Sequence, residues 1–106
     1  MADGAAAEEL AARELTRRGY RILARNVKSK VGELDIIAVD GAVLCFVEVR
    51  ARADGTAAET VGYAKQRRLR RAAAAYLAGA GRSSAACRFD VVTLGPAGTE
   101  LIKNAF

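Results

Sequence analysis

The sequence predicts an α/β fold in which a mixed β-sheet is flanked by two helices. Three features lead there. Gly32 to Arg50 reads as two apolar strands joined at Asp40-Gly41, a strong two-residue hairpin signal. A further apolar strand, RFDVVTL, runs from Arg88 to Leu94. A long helical segment separates the two, and a helix between strands implies a crossover and with it a mixed sheet.

The elements follow in order. Ala5 to Arg18 is rich in Ala, Glu, Leu and Arg, all good helix formers, and Gly19 stands where a C-terminal glycine ends a helix. Tyr20 to Val27 alternates apolar and polar in its first half, as a strand with one wet face does, and Lys28 to Val31 forms a polar turn. The strands Gly32 to Val39 and Ala42 to Arg50 come next, antiparallel to each other, then a loop from Ala51 to Thr56 containing Asp54-Gly55. A second helix is expected from about Ala58 to Ala78, stopped by Gly79 and Gly81. The strand at Arg88 to Leu94 ends at Gly95-Pro96, and Thr99 to Phe106 adds an edge strand.

A chain of 106 residues is expected to form one domain, able to remove roughly 65% of its unfolded surface from water. Seventeen Lys and Arg against twelve Asp and Glu leave a net charge of +5, compatible with nucleic acid but not diagnostic of it. There is no histidine, so Cys45 and Cys87 cannot belong to a Cys/His zinc set; both read as small buried apolar residues of strands. The first residues lack a basic segment leading into an apolar one, and no apolar run is long enough for a membrane helix. A soluble, cytoplasmic protein is expected.

The hairpin poses the functional question, because it holds four ionisable side chains. With Asp40-Gly41 as the turn, Val39 pairs with Ala42, Ile37 with Leu44, Asp35 with Phe46 and Glu33 with Glu48. Paired side chains share a face. One face then carries Leu34, Ile36, Ala38, Val43, Cys45, Val47 and Val49 and is wholly apolar. The other is apolar near the turn and carries Glu33, Asp35, Glu48 and Arg50 at its far end. Like charges opposite one another on a strand pair repel, so a cation must offset them. Either Arg50 supplies it in a rim salt bridge, or Asp35 and Glu48 hold a divalent metal. Oxygen ligands without His or Cys favour Mg²⁺ or Mn²⁺.

On the second helix, steps of ~100° per residue gather Val61, Gly62, Leu69, Ala72, Ala73 and Tyr76 on one arc that faces the sheet. Arg67, Arg70 and Arg71 fall on the far side and Arg68 on a flank, as a solvated basic face or one that collects nucleic-acid phosphates. Lys65 and Gln66 lie on or near the buried arc and need polar partners, which the acidic end of the hairpin would offer.

The pattern Asp35, then Glu48-Val49-Arg50 on the next strand, resembles the PD-(D/E)xK nucleases. More closely, the segments AEELAARELTRRGYRILARN, GELDIIAVDG, FVEVRAR, KQRRLRRAAAAYL, RFDVV and NAF resemble the bacterial YraN family, and they cover almost the whole chain. The resemblance implies a restriction-endonuclease-like αβββαβ core, similar to archaeal Holliday-junction resolvases. It makes Asp35 and Glu48 the metal ligands and Arg50 the occupant of the signature lysine position. It adds Glu8 as a further acidic member, with Glu9 as the alternative, and Glu33 as a supporting residue. Gln66 resembles the glutamine that related nucleases place close to the metal-bound phosphate. Related resolvases act as dimers, which by analogy suggests a homodimer. Arginine stays protonated and cannot serve as a general base, so Arg50 departs from the pattern in a way that bears on catalysis. Three functions remain open: a Mg²⁺- or Mn²⁺-dependent endonuclease acting on branched or damaged DNA, a non-catalytic nucleic-acid-binding module with Lys65, Arg67, Arg68, Arg70 and Arg71 as its contacts, and a protein-interaction domain.

Overall fold

The computed structural model describes residues 4–51, 61–82 and 85–106. Along the chain stand α1 (Gly4–Arg17), β1 (Arg21–Ser29), β2 (Gly32–Asp40), β3 (Val43–Ala51), α2 (Tyr63–Gly79), β4 (Cys87–Gly95) and β5 (Gly98–Ile102). The expected αβββαβ order is present, with β5 added at the end. The sheet order is β1-β2-β3-β4-β5. Only the β3/β4 pair is parallel, as the intervening α2 requires. Part of the loop expected from Ala51 to Thr56, and the expected helix start at Ala58, lie outside the described residues.

Helix α1 ends as its sequence suggests. Gly19 has φ 94°, and the amides of Gly19 and Tyr20 return to the carbonyls of Thr16 and Leu15 at 3.0 Å each. A side chain at Gly19 would meet the steric cost of that left-handed backbone. The reversal drops Tyr20 into the apolar layer beneath α1, beside Leu15, Ile36, Ala38, Cys45, Val47 and Val92. On the opposite face of the sheet, α2 sets Leu69, Ala72, Ala73 and Leu77 against Ile37, Leu44, Phe46, Phe89 and Val91.

The hairpin turn differs from the sequence expectation by one position. Its central residues are Gly41 and Ala42, and the strands pair Asp40↔Val43, Val39↔Leu44 and Ile37↔Phe46. Gly41, at φ 63°, takes the first turn position that glycine favours. Asp40 stays in the strand, where its carboxylate accepts from Arg88 at 2.6 Å and Lys103 at 3.2 Å. Both strands moved by one residue, so the division into faces survives near the turn. Leu34 is the exception, packing on the α2 side with Val27 instead of beside Ile36. Between these pairs Asn26 holds φ 54°, and this kink opposite Asp35 swaps the face. Strand β1 also runs past Val27 to Ser29, leaving only Lys30 and Val31 in its turn. At α2, Gly62 is the cap, so the helix begins at Tyr63; Val61 is buried ahead of it and Gly62 is exposed. Cys45 is buried as expected, whereas Cys87 is exposed.

Beneath α1 lies a polar network that the strand reading of RFDVV did not reveal. Asp90 is fully buried and accepts from Tyr20 Oη at 2.8 Å, Arg88 Nε at 2.9 Å and the Asn104 amide at 2.9 Å. Arg88 also donates to Tyr20 Oη at 2.9 Å. Burial, then the hydrogen bond to Asp90, raises the Tyr20 phenol above its usual range, and hydrogen bonds from Arg88 and Lys103 lower Asp40. Removing a buried charge that three donors address leaves those donors without partners. Asp90→Ala is expected to lower unfolding stability in urea by about 3 kcal/mol or more, and Tyr20→Phe by only ~1 kcal/mol; equal, small losses would contradict this account of the network.

Candidate functional site

The site forms where β2 and β3 part company. Their pairing runs from the turn to Ile36↔Val47. One residue further, Asp35 and Glu48 stand opposite each other, and the Asp35 side chain replaces the ladder: its Oδ2 accepts the Val49 amide at 2.9 Å. The neighbouring Glu48 carboxyl makes that of Asp35 harder to ionise. The expected pairing had placed Glu33 opposite Glu48; the turn correction brings Asp35 there.

Two helices supply the remaining charges. Glu8, one turn into α1, is buried, and its Oε1 has no hydrogen-bond partner among the described residues. From α2, Lys65 places Nζ 2.6 Å from Glu48 Oε2. Gly32, Glu33, Asp35, Glu48, Lys65, Arg68 and Leu69 line a cleft of about 230 Å³.

Burial pushes the Asp35 carboxyl up to about 7 against the opposing Val49 hydrogen bond, with neighbouring Glu48 and Glu8 adding to the rise. One carboxyl of such a pair retains a proton where an isolated aspartate would long since have lost it. A group set this way can exchange a proton near neutral pH, or give it up to a cation. Among the described residues no three Asp, Glu or Cys side chains are gathered as a ligand set. A hard divalent ion would therefore rest on Asp35 and Glu48, with water or a phosphate completing its shell, an arrangement usual for Mg²⁺.

The other expected site residues fall in different places. Glu9 is on the surface, paired with Arg13 at 3.0 Å and Arg25 at 2.8 Å, so α1 turns Glu8 toward the acids and Glu9 away. Arg50 is half-buried on β3, two residues beyond Glu48 and in register with Thr93 of β4, outside the lining of the cleft. Gln66 donates Nε2 to the Val61 carbonyl at 2.7 Å, so its amide closes the start of α2 instead of reaching the acids. Glu33 lines the cleft, 3.9 Å from Lys28. Arg67 lies over the Tyr63 ring at 5.9 Å, and Arg71 is exposed. Arg70, expected on the far side, reaches over Phe89 at 5.0 Å and Phe106 at 5.6 Å. Arg68, expected on a flank, faces the cleft; its i,i+3 spacing from Lys65 is the sequence signal that could have paired them.

Comparison with known proteins decides the family. The profile of the uncharacterised protein family UPF0102 matches residues 7–94. The chain belongs to this family. A UPF0102 protein of Symbiobacterium thermophilum is 54% identical over 111 residues, covering 97% of this chain and 94% of that protein. The UPF0102 protein of Moorella thermoacetica is 45% identical, covering 97% and 93%, and that of Chlorobaculum tepidum is 49% identical, covering 86% and 73%. UPF0102 is the YraN family that the sequence motifs indicated. The UPF0102 match spans every acid of the site from Glu8 to Glu48 and both cleft cations, Lys65 and Arg68. Among the described residues no helix is long and apolar enough to cross a membrane.

The raised Asp35 carboxyl has a consequence for stability. The folded chain holds this proton up to about pH 7, while the unfolded chain releases it near 3.8. Between those values the folded state binds more protons, so its stability falls as pH rises, and the penalty is complete above 7. Asp35→Asn removes the titration. In urea unfolding at pH 4.5 and pH 8, the variant is expected to gain about 1–2 kcal/mol on wild type across that interval, allowing for solvent screening. Parallel pH profiles would refute the assignment.

Proposed function

We propose that this UPF0102 protein binds nucleic acid and, with Mg²⁺ or Mn²⁺ held by Asp35 and Glu48, hydrolyses phosphodiester bonds, branched DNA being the substrate class that the resemblance to resolvases favours. The observation that carries this reading is the pair itself: two adjacent carboxyls, Glu48 buried and Asp35 half-buried, in a cleft whose other walls bear Lys65 and Arg68. Such a pair is costly to ionise without a cation, and its surroundings suit a phosphate.

The divalent ion would supply an activated water and would neutralise charge on the scissile phosphate. The chain's own residues do the rest. Lys65 and Arg68 bind the phosphodiester and fix its orientation at the cleft. Glu8, with its unpartnered oxygen, would accept a hydrogen bond from the attacking water. Arg50, outside the cleft lining and always protonated, takes no proton and adds only the field of its charge from β3. Arg67 and Arg71 lie exposed on α2 and attract the flanking phosphates.

A second reading, a non-catalytic nucleic-acid-binding module, is favoured by one observation: arginine stands at position 50 where related nucleases carry lysine. A single assay separates the two. Incubated with Mn²⁺ and a four-way DNA junction, the wild-type chain is expected to nick the junction, and Asp35→Ala and Glu48→Ala to lose at least 100-fold in rate, on the order of a lost catalytic group. Salt-sensitive junction binding with no cleavage by the wild type would establish the module and exclude the enzyme.

A further inference from the structure

Lys65 occupies a position that its own helix does not favour. It lies in the first turn of α2, where free backbone N–H groups already concentrate positive charge, and that turn holds no acidic residue. The compensation comes from across the cleft, where Glu48 Oε2 is 2.6 Å from the ammonium. The two partners are unequally held. Glu48 is 6% exposed and fixed in the middle of β3, whereas the Lys65 side chain is 44% exposed at the end of a flexible stem. The anion is therefore the permanent member of the pair and the cation the one that can leave. The cleft also offers an anion a place beside Lys65, because Arg68, one turn further along α2, lines it as well.

We propose that Lys65 is a tethered counter-ion: it neutralises Glu48 until a divalent cation replaces it, and its release presents the ammonium, together with Arg68 and the start of α2, to a phosphate. The proposal rests on the reading of Asp35 and Glu48 as the cation ligands. An ammonium and a divalent ion compete for the same buried carboxylate, since each would otherwise sit against the other's like charge. Once Glu48 is taken, the ammonium loses the anion that stood 2.6 Å away, and its own helical turn holds no acidic residue to replace it. A phosphodiester is then the natural partner, and by linkage cation and phosphate strengthen each other's binding. Another cation of α2, Arg70, is engaged elsewhere, over Phe89 and Phe106.

The test is a calorimetric titration of the full chain with Mn²⁺ alone, in wild type, Lys65→Met and Lys65→Arg, with metal-free thermal unfolding as the check on folding. Removing the competitor is expected to tighten Mn²⁺ binding by roughly fivefold or more in Lys65→Met, while Lys65→Arg, which keeps the charge, stays close to wild type. A purely structural salt bridge predicts the reverse, looser binding in a weakened site. Should Lys65→Met not fold, Lys65→Gln is titrated with the same expectation. Unchanged or weaker binding in the uncharged variant, alongside binding in the wild type, overturns the tether and leaves the cation site standing. Failure of folded wild type and folded Lys65→Met alike to bind Mn²⁺ overturns the cation site, and the tether with it.

Discussion

Two carboxyl groups confined at the end of a buried strand pair govern the arrangement around them. Asp35 and Glu48 face each other because Gly41 and Ala42 form the turn and because β2 leaves β3 just beyond Ile36. Asp35 then takes the Val49 amide as its own partner, which fixes the carboxyl against its neighbour. Charge concentrated there must be neutralised by a proton, an ammonium or a metal; burial favours the protonated form of Asp35, and Lys65 supplies the ammonium beside Glu48. The helices are placed accordingly. The first contributes another acid, and the second contributes two cations on the open side.

A contrast within the molecule supports a functional role for this cluster. The network around Asp90 is equally polar and more deeply buried, yet donors from Tyr20, Arg88 and Asn104 surround its carboxylate. It joins the end of α1, the β2/β3 turn through Asp40, and the segment after β5, and it leaves little capacity for a ligand. The Glu8, Asp35 and Glu48 group is held less completely: Glu8 has an unpartnered buried oxygen, and one ammonium serves Glu48. Buried polar groups that only stabilise a fold are ordinarily satisfied, so an unpartnered Glu8 oxygen close enough to act on Asp35 points to a missing partner.

Much of this was legible in the sequence, for identifiable reasons. Alternation along β2 and β3 separates an apolar face from a charged one, and a register error of one residue in each strand does not disturb parity, so Asp35 and Glu48 share a side under either pairing. The i,i+4 spacing of Lys65 and Leu69 placed Lys65 toward the sheet. What remained hidden depends on backbone detail or distant contacts. The kink at Asn26 that moves Leu34 to the other face leaves no trace in hydrophobic periodicity. Helical periodicity and resemblance both point Gln66 at the acids, but a helix beginning at Tyr63 leaves the Val61 carbonyl within its reach. Two of the three partners of Asp90, Tyr20 and Asn104, lie 70 and 14 residues away in sequence, so only the alternation of Arg88 and Asp90 within an apolar strand hinted at the network.

The central claim, that Asp35 and Glu48 form a proton-sharing pair whose natural counter-charge is a divalent cation, is most directly tested by following the ¹³C resonance of the Asp35 carboxyl against pH with and without Mg²⁺. The account predicts titration near neutrality without the ion and a fall by more than one pH unit when Mg²⁺ is present. A carboxyl that titrates near pH 4 in both series would contradict it.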